Sequence, residues 1–342
     1  MEYVTNPSIA RPKQHGCSTG NPADMIVSHN PERSLVSVLD MSVPQYQNWR
    51  DNRLLNAHND SRVEPVSISN PYTLSDSERK SIFKSVAVRN FSVYQYDTIK
   101  HPDEQPLLTF CRQLGMQRSV SNPESGPNDV TVITCKSDQS ANSRSDYSPE
   151  KGRASRYIPY TNQPLKWHTD GYYNETDNQI RSFVIHCQSA SMSGGDNCLL
   201  DHEIAYIQLH EKGPELASAL CQPDAMTIPE NTENQIQIRK AYCGPVFSTD
   251  PETGCLYTRY TQRTRNIIWK SDPVTREALD RLNDILDEDN PWITKIRLEP
   301  GQGIICNNVL HNRSAFTNGD SLEQTRALLR IRFHDRISEG AN

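Results

Sequence analysis

The chain has 342 residues, and its 36 Lys and Arg against 42 Asp and Glu give a net charge of −6. No basic tract and no run of about 18 apolar residues stands out, so neither nucleic acid nor a membrane is an expected partner. The polar start lacks the apolar segment of a signal peptide, and the nine cysteines form no CxxC pair, so we expect a cytoplasmic protein with neither a disulfide framework nor a cysteine zinc site.

The N-terminal part predicts an irregular arm followed by helices. Residues 1–33 are polar and rich in Pro, Asn and Ser, which predicts an arm outside a single domain spanning 34–342. Residues 43–57 predict a first helix. A clearer helix begins near Ser75, where several residues can cap it, and ends at Asn90.

The next segment alternates between strands and a helix. Residues 91–96 alternate as a strand, 103–114 predict a helix closed by a glycine, and 129–134 predict another strand. Residues 136–156 are rich in Ser, Asp and Arg with few apolar groups. Because long loops in compact domains are often functional, we expect a lid-like loop there.

The C-terminal half predicts short strands separated by Gly and Pro turns, with a few helices. Strands are predicted at 183–185, 293–298, 303–310 and 327–333, and helices at 201–209, 214–220 and 272–287. This pattern predicts a mainly β fold, a β-barrel or jelly roll with flanking helices packed outside.

A His-x-Asp pair suits a metal, because residues i and i+2 of a strand point to the same side. The sequence contains this pair at 58–60, 101–103 and 168–170. The first lies in a polar stretch, and the second contains a proline that disfavours a strand interior. Only His168 and Asp170 lie among large aromatic residues before a glycine turn, so they are the candidate ligands.

The third ligand must come from elsewhere in the chain. His311 ends the predicted strand 303–310 and precedes a polar loop. A histidine at the mouth of a barrel strand is well placed for a metal, although a structural core histidine remains an alternative. Two histidines and one carboxylate are the usual ligand set of iron(II) oxygenases.

The strand that follows predicts a row of arginines. With a period of two, Arg326, Arg330 and Arg332 share one face, and apolar residues share the other. An exposed basic face is one interpretation. The other is a binding site, because a guanidinium near a metal can hold a carboxylate through two parallel hydrogen bonds.

Together these motifs resemble the taurine dioxygenase/TfdA family of Fe(II)- and 2-oxoglutarate-dependent oxygenases, over about residues 85–335. The resemblance rests on 167–171, Gly194 to Asn197, Asn308 to Arg313, and the Arg326-x-x-x-Arg330 pair. It implies a double-stranded β-helix, a cupin-like jelly-roll barrel, with Fe(II), 2-oxoglutarate and O2 as cofactor and co-substrates.

The resemblance also implies roles for individual residues. It makes His168, Asp170 and His311 the catalytic iron ligands. Arg326 would bind the distal carboxylate of 2-oxoglutarate, assisted by Asn197 where the family often has threonine. Arg330 matches a position that holds an anionic substrate group, and the two arginines could exchange roles because the preceding loop looks long.

The implied reaction hydroxylates an unactivated C–H bond of a small polar or charged metabolite and decarboxylates 2-oxoglutarate to succinate. The candidate substrate-binding residues are Tyr160, Asn162, Tyr172, Arg263 and Arg330. Aromatic rings would suit a trimethylammonium group, and arginines a sulfonate or carboxylate. The alternatives are a non-catalytic barrel that binds a small acid and a zinc-type metal-dependent hydrolase, and a homo-oligomer is compatible with each.

Overall fold

The computed structural model describes residues 37–59, 63–97, 100, 104–122, 124–126, 128–135, 158–233, 236–265, 267–287, 289–321 and 324–339. The predicted arm 1–33 and the predicted lid-like loop 136–156 lie outside the described residues and stay predictions. Among the described helices, none has the length and apolar character needed to cross a membrane. No disulfide is present among the described cysteines.

Six α-helices are described. They are α1 (Val43–Asn59), α2 (Asp76–Arg89), α3 (Gln105–Arg112), α4 (His202–Lys212), α5 (Pro214–Leu220) and α6 (Pro273–Ile285). The ends of α2 follow from its sequence, because Ser75 and Glu78 form a reciprocal capping box and Asn90 ends the helix in the left-handed region at φ 60°. The predicted caps of this helix are therefore confirmed.

Strands make up most of the regular structure between and after these helices. They are β1 (Val66–Ser67), β2 (Phe91–Gln95), β3 (Thr131–Thr134), β4 (Leu165–His168), β5 (Ser182–Ser189), β6 (Ser193–Gly194), β7 (Asn197–Leu200), β8 (Met226–Ile228), β9 (Asn231–Glu233), β10 (Ile236–Arg239), β11 (Tyr242–Gly244), β12 (Phe247–Thr249), β13 (Leu256–Thr258), β14 (Ile268–Trp269), β15 (Thr294–Ile296), β16 (Gln302–Cys306), β17 (Leu310–Arg313), β18 (Phe316–Thr317) and β19 (Ala327–Phe333).

Two sheets dominate this part of the chain. The larger has the order β1-β2-β16-β5-β19-β3, and the smaller has the order β15-β7-β17-β4. The described strands do not close into one barrel through hydrogen bonds. The prediction of a mainly β fold with helices is confirmed at this level.

Side-chain alternation separates the two faces of the larger sheet. On β19, Leu329, Ile331 and Phe333 join a core with α2 and α3, whereas Leu328 joins a second core. That second core also contains Leu199 of the smaller sheet, so the two sheets face each other across it. A third core packs α4, α5 and α6 together. The apolar face predicted for residues 327–333 is thus confirmed.

The single strand predicted for 303–310 is wrong. The chain forms β16 in the larger sheet and then β17 in the smaller sheet, so His311 lies inside a second strand. The break falls at Asn308, whose φ of 48° is incompatible with an extended strand. The sequence pattern does not reveal this crossing, because the residues on both sides of Asn308 are buried.

Candidate metal centre

The predicted metal triad is assembled by two neighbouring strands. On the antiparallel pair β4 and β17, His168 lies directly opposite His311. Asp170 follows β4 by two residues, and one ligand atom from each of the three side chains lies within 4.8 Å of the others. His168 and Asp170 are buried and His311 is half-buried, so the three donors are held together in a largely enclosed place.

Backbone carbonyls fix the orientation of both imidazoles. Nδ1 of His168 lies 2.9 Å from the carbonyl oxygen of Lys166, and Nδ1 of His311 lies 2.8 Å from that of Val309. Each Nδ1 can therefore carry the proton and donate it, which leaves Nε2 of each ring available as a metal ligand. The phenyl ring of Phe183 packs against His311 with the ring centres 4.8 Å apart.

Asp170 is held by its own backbone and leaves a carboxylate oxygen available. The side chain of Asn308 accepts the Asp170 N–H at 2.7 Å and donates to the Asp170 carbonyl oxygen at 2.9 Å. Asp170 Oδ1 lies 3.8 Å from His168 Nε2. Its Oδ2 is buried without a hydrogen bond in the described structure, and the nearest cation, Nη1 of Arg330, is 3.7 Å away.

These environments set the charge of each donor. Burial and the neighbouring His311 lower the pKa of His168 to about 3, and burial likewise lowers the pKa of His311. Burial would raise the pKa of Asp170, but Arg330 and Arg332 hold it well below its usual range. At neutral pH the site thus offers two neutral imidazoles and one carboxylate, the protonation states that bind a divalent metal.

A cavity between strands of the two main sheets is lined by Arg326 and Asn197, the two residues predicted to bind 2-oxoglutarate. Its walls come from β5, β7 and β19 and the turn after β5, and include Cys187, Ser191, Gly195, Asn197, Arg297, Arg326 and Leu328. Arg326 is 5 % exposed, and burial lowers its pKa to about 10; among the described residues no carboxylate forms an ion pair with it. A carboxylate would supply the missing partner of this guanidinium.

The turn at Gly194 and Gly195 leaves space for the guanidinium of Arg326. Gly195 has φ +76°, and a Cβ there would lie 3.2 Å from Arg326 Nε, so a side chain would crowd the guanidinium. Phe316 lies beneath two guanidinium groups, 5.1 Å from that of Arg326 and 5.0 Å from that of Arg313. Arg313 in turn donates to backbone carbonyls of the segment before β4. The motif residues thus build one wall together.

Two further arginines of β19 face Asp170. Arg330 and Arg332 each have an Nε that is buried without a hydrogen bond in the described structure. Arg332 donates from Nη1 to the Tyr173 hydroxyl at 3.3 Å. Tyr160 is buried, and its pKa, raised by that burial, also responds to the charges of Arg330 and Arg332, so these residues share one neighbourhood.

The other predicted substrate residues are placed less uniformly. Tyr172 is half-buried with its ring against that of Tyr173, and Arg263 is half-buried and close enough to His168 to lower its pKa. Asn162 is exposed, and its side chain accepts a hydrogen bond from Gln163.

Two contacts of this site were not predicted from the sequence. They are the two hydrogen bonds between the Asn308 side chain and the Asp170 backbone, and the hydrogen bond from Arg332 to Tyr173. An asparagine beside a strand break is the signal that could have indicated the first.

Solved structures show the same fold at low sequence identity. An asparagine oxygenase bound to Fe(II), 2S,3S-3-hydroxyasparagine and succinate has a TM-score of 0.53 and 13% identity over 84% of this chain and 91% of that one. OrfP, a non-heme iron oxygenase bound to Fe, succinate and (3S)-hydroxy-L-Arg, gives 0.52 and 14% over 76% and 80%. A putative alpha-ketoglutarate-dependent taurine dioxygenase from Burkholderia xenovorans gives 0.50 and 16% over 80% and 90%.

Sequence comparison gives a relative and a family. A uridine-5'-phosphate dioxygenase of Amycolatopsis sp is 33% identical over 173 residues, which cover 48% of this chain and 58% of the relative. The chain therefore matches little more than half the length of that relative. The model of the taurine catabolism dioxygenase TauD, TfdA family matches residues 56–332. The resemblance predicted from the motifs is confirmed, and the chain belongs to the TauD/TfdA family of dioxygenases.

Proposed function

We propose that the protein is an Fe(II)- and 2-oxoglutarate-dependent dioxygenase that hydroxylates an unactivated C–H bond of a small polar or charged metabolite. The observation that carries the proposal is the convergence of His168, Asp170 and His311, with an unpartnered carboxylate oxygen and two neutral imidazole nitrogens. This donor set fits iron(II) with open positions for co-substrates. Bound iron(II) and 2-oxoglutarate would supply the oxidation, with succinate as a by-product.

The family fold is proposed for the two main sheets. In a jelly roll, eight strands form two facing sheets. Here β3, β19, β5 and β16 are neighbours in one sheet, and β4, β17, β7 and β15 in the other, all antiparallel. This order supports a double-stranded β-helix, with β1 and β2 extending the larger sheet.

We further propose that Arg326 and Asn197 hold the distal carboxylate of 2-oxoglutarate. Arg326 forms no ion pair with a carboxylate in the described structure, and both residues line the same cavity. Arg330 is closer to the metal ligands, 3.7 Å from Asp170, which supports the separate substrate role expected for it. The protein's part in the reaction is then to orient both anions and to keep water away from the metal.

The non-catalytic barrel and the zinc hydrolase have less support. A non-catalytic barrel would not need three converging metal donors, and a hydrolase would not need a buried arginine beside them. The names of the relatives add two possible substrate classes, an amino acid and a nucleotide. We propose Tyr160, Tyr172 and Arg263 as further substrate contacts, whereas the exposed side chain of Asn162 gives that residue weaker support.

Anaerobic titration tests the proposed cofactor and co-substrate. Adding iron(II) and then 2-oxoglutarate to the protein should produce a weak visible charge-transfer band. Asp170→Ala should remove one of three ligands and sharply reduce iron retention, measured by metal analysis after gel filtration. The proposal is wrong if the wild-type protein gives no band and forms no succinate in air with any member of a metabolite library.

A pair of variants tests the roles of the two arginines. Arg326→Ala should raise the 2-oxoglutarate concentration needed for the band more than Arg330→Ala does, because only Arg326 is proposed to hold its distal carboxylate. We expect a loss of roughly 10–100-fold in 2-oxoglutarate affinity for removal of such a charge-assisted contact. The opposite order would show that the two roles are exchanged.

A further inference from the structure

Two arginines of β19, Arg330 and Arg332, point toward the proposed metal ligands. Neither is needed to bind the metal or the distal carboxylate of 2-oxoglutarate, which is assigned to Arg326. Arg330 and Arg332 are two residues apart, so their stems leave the strand on the same side about 7 Å apart. Arg332 is 8 % exposed, and 14 % of the Arg330 side chain is exposed. Nη1 of Arg330 lies 3.7 Å from Asp170 Oδ2, and Nη1 of Arg332 lies 3.3 Å from the Tyr173 hydroxyl, so both side chains point into the interior around the proposed metal ligands.

Neither guanidinium is satisfied by the groups around it. The Nε atoms of Arg330 and Arg332 are buried without a hydrogen bond in the described structure. The ion pair from Arg330 to Asp170 is long, at 3.7 Å, and Arg332 donates at 3.3 Å to the neutral hydroxyl of Tyr173. Among the described residues, no acid other than Asp170 forms an ion pair with Arg330 or Arg332. Buried charged donors left in this state are costly unless a ligand completes them.

The positive charge extends beyond these two side chains. The guanidinium of Arg239 lies over the ring of Tyr173, with its carbon 5.5 Å from the ring centre. Arg263 lies two residues after Thr261, which pairs with His168 in an isolated β-bridge. A ligand beside Tyr173 would therefore enter a field that favours anions.

Formal charges then indicate the charge of the ligand. This step rests on the proposed function. Iron(II) carries two positive charges and 2-oxoglutarate two negative ones, and Asp170 and Arg326 cancel each other. The formal charges of these four groups therefore sum to zero before the guanidinium groups of Arg330 and Arg332 are added. A substrate with a doubly negative group would balance them, whereas a sulfonate or a single carboxylate would leave one buried cation unpaired.

We propose that Arg332 and Arg330, with the Tyr173 hydroxyl, bind a phosphate monoester dianion, so that the substrate is a small phosphorylated metabolite. Phosphate presents several acceptor oxygens at the spacing of a guanidinium fork, which suits the free Nε–H groups. Arg332 is the specificity-determining residue of this site, because it lies beyond the arginine pair through which the chain resembles its family. The relative named for uridine 5'-phosphate is consistent with this substrate class.

Anaerobic calorimetry on the full chain with iron(II) and 2-oxoglutarate tests the proposal. The probes are uridine 5'-phosphate, uridine, inorganic phosphate and taurine, the last as a sulfonate. Phosphate-bearing probes should bind at least about tenfold more tightly than uridine or taurine. Arg332→Gln should abolish that preference, while Arg332→Lys, which keeps the charge but loses the fork, should retain part of it. Arg276→Gln, an exposed charge on α6, is the matched control and should bind like the wild type.

Two separate readouts distinguish the possible failures. The charge-transfer band and the melting temperature report whether a variant is folded and loaded, independently of the phosphate probes. Absence of the band in the wild-type protein would contradict the proposed function. A normal band with no preference for uridine 5'-phosphate or inorganic phosphate would overturn the phosphate site, as would a preference that survives in folded Arg332→Gln. The latter result would indicate direct binding of phosphate to the metal.

Discussion

The side chain of Asn308 links the turn at Asp170 to the segment that leads into the strand of His311. It lies three residues before His311, and its amide accepts from the N–H of Asp170 and donates to the carbonyl oxygens of Asp170 and Ile180. It is 3 % exposed, so water does not compete for these bonds. Asn308 thus holds the turn that carries Asp170, the proposed carboxylate ligand, next to the strand that carries His311, and we expect it to act as a positioning residue.

Replacing Asn308 should therefore weaken metal binding more than it weakens the fold. Asn308→Gly tolerates the φ of 48° but removes all three hydrogen bonds, so it separates loss of the amide from backbone strain. We expect iron(II) or cobalt(II) affinity to fall by about 10–100-fold, measured by anaerobic titration beside thermal unfolding.

Asn307→Ala is the matched control for this experiment. Asn307 contacts Asn90 and the backbone of Ile337 and makes no described contact with Asp170. It should lower stability with little change in metal affinity. Unchanged affinity in Asn308→Gly would show that the shape of the turn, not the amide, positions Asp170.

Residue types and local spacing were sufficient to predict that His168, Asp170 and His311 converge, because His-x-Asp and a later histidine are chemically distinctive. Their role as metal ligands stays a proposal. Residue types and local spacing were not sufficient for the contacts around these residues. Arg332 meets Tyr173 across 159 positions, and Asn308 meets Asp170 across 138. Such pairs depend on how strands from two sheets converge, which no local pattern encodes.

At the scale of an element, β19 separates stability from chemistry by its two faces. Ile331 is fully buried in the core shared with α2 and α3, while the neighbouring Arg330 and Arg332 face the metal ligands. Ile331→Ala should lower the free energy of unfolding by about 2–5 kcal/mol, because it leaves a cavity in a close-packed core. Iron(II) affinity of the folded protein should change little.

Chemical denaturation and metal titration on the same samples check this separation. Val132→Ala is a suitable control, since Val132 lies opposite Leu329 on the neighbouring strand and is 43% exposed. It should change stability by less than about 1 kcal/mol. If Ile331→Ala lost metal affinity as strongly as stability, the two faces would be coupled.

Elements with a single environment were the most predictable. The capping residues of the helix from Asp76 to Arg89 are recognisable in the sequence. On β19, Leu329, Ile331 and Phe333 recur at every second position and share one core, as their spacing predicts. The single strand predicted for 303–310 was wrong because the chain changes sheet within it. The apolar residues before and after the crossing are all buried, so their pattern does not show where the sheet changes.

At the scale of the whole molecule, folding buries a histidine that is not one of the three proposed metal donors. His186 of β5 is 1% exposed, stacks on the ring of Tyr96 at 4.4 Å, and lies on the sheet face that packs against α3. Its Nε2 has no hydrogen bond in the described structure. Protonation would therefore place an unpaired charge in the core that joins the larger sheet to its helices.

This burial predicts a loss of stability in weak acid. Burial lowers the pKa of His186 from 6.5 to about 4, so between these values the unfolded chain binds a proton that the folded chain excludes. Stability is then fully present above about pH 6.5 and falls as the pH approaches 4. For His186 alone, linkage gives a loss of about 2 kcal/mol between pH 7 and pH 5.

The variant His186→Phe tests this prediction, because it keeps an aromatic ring beside Tyr96 but cannot be protonated. Between pH 7 and pH 5 its free energy of unfolding, measured by urea titration, should fall by about 2 kcal/mol less than that of the wild-type protein. An equal fall in both proteins would assign the acid sensitivity to other groups, such as the two histidines of the proposed metal site.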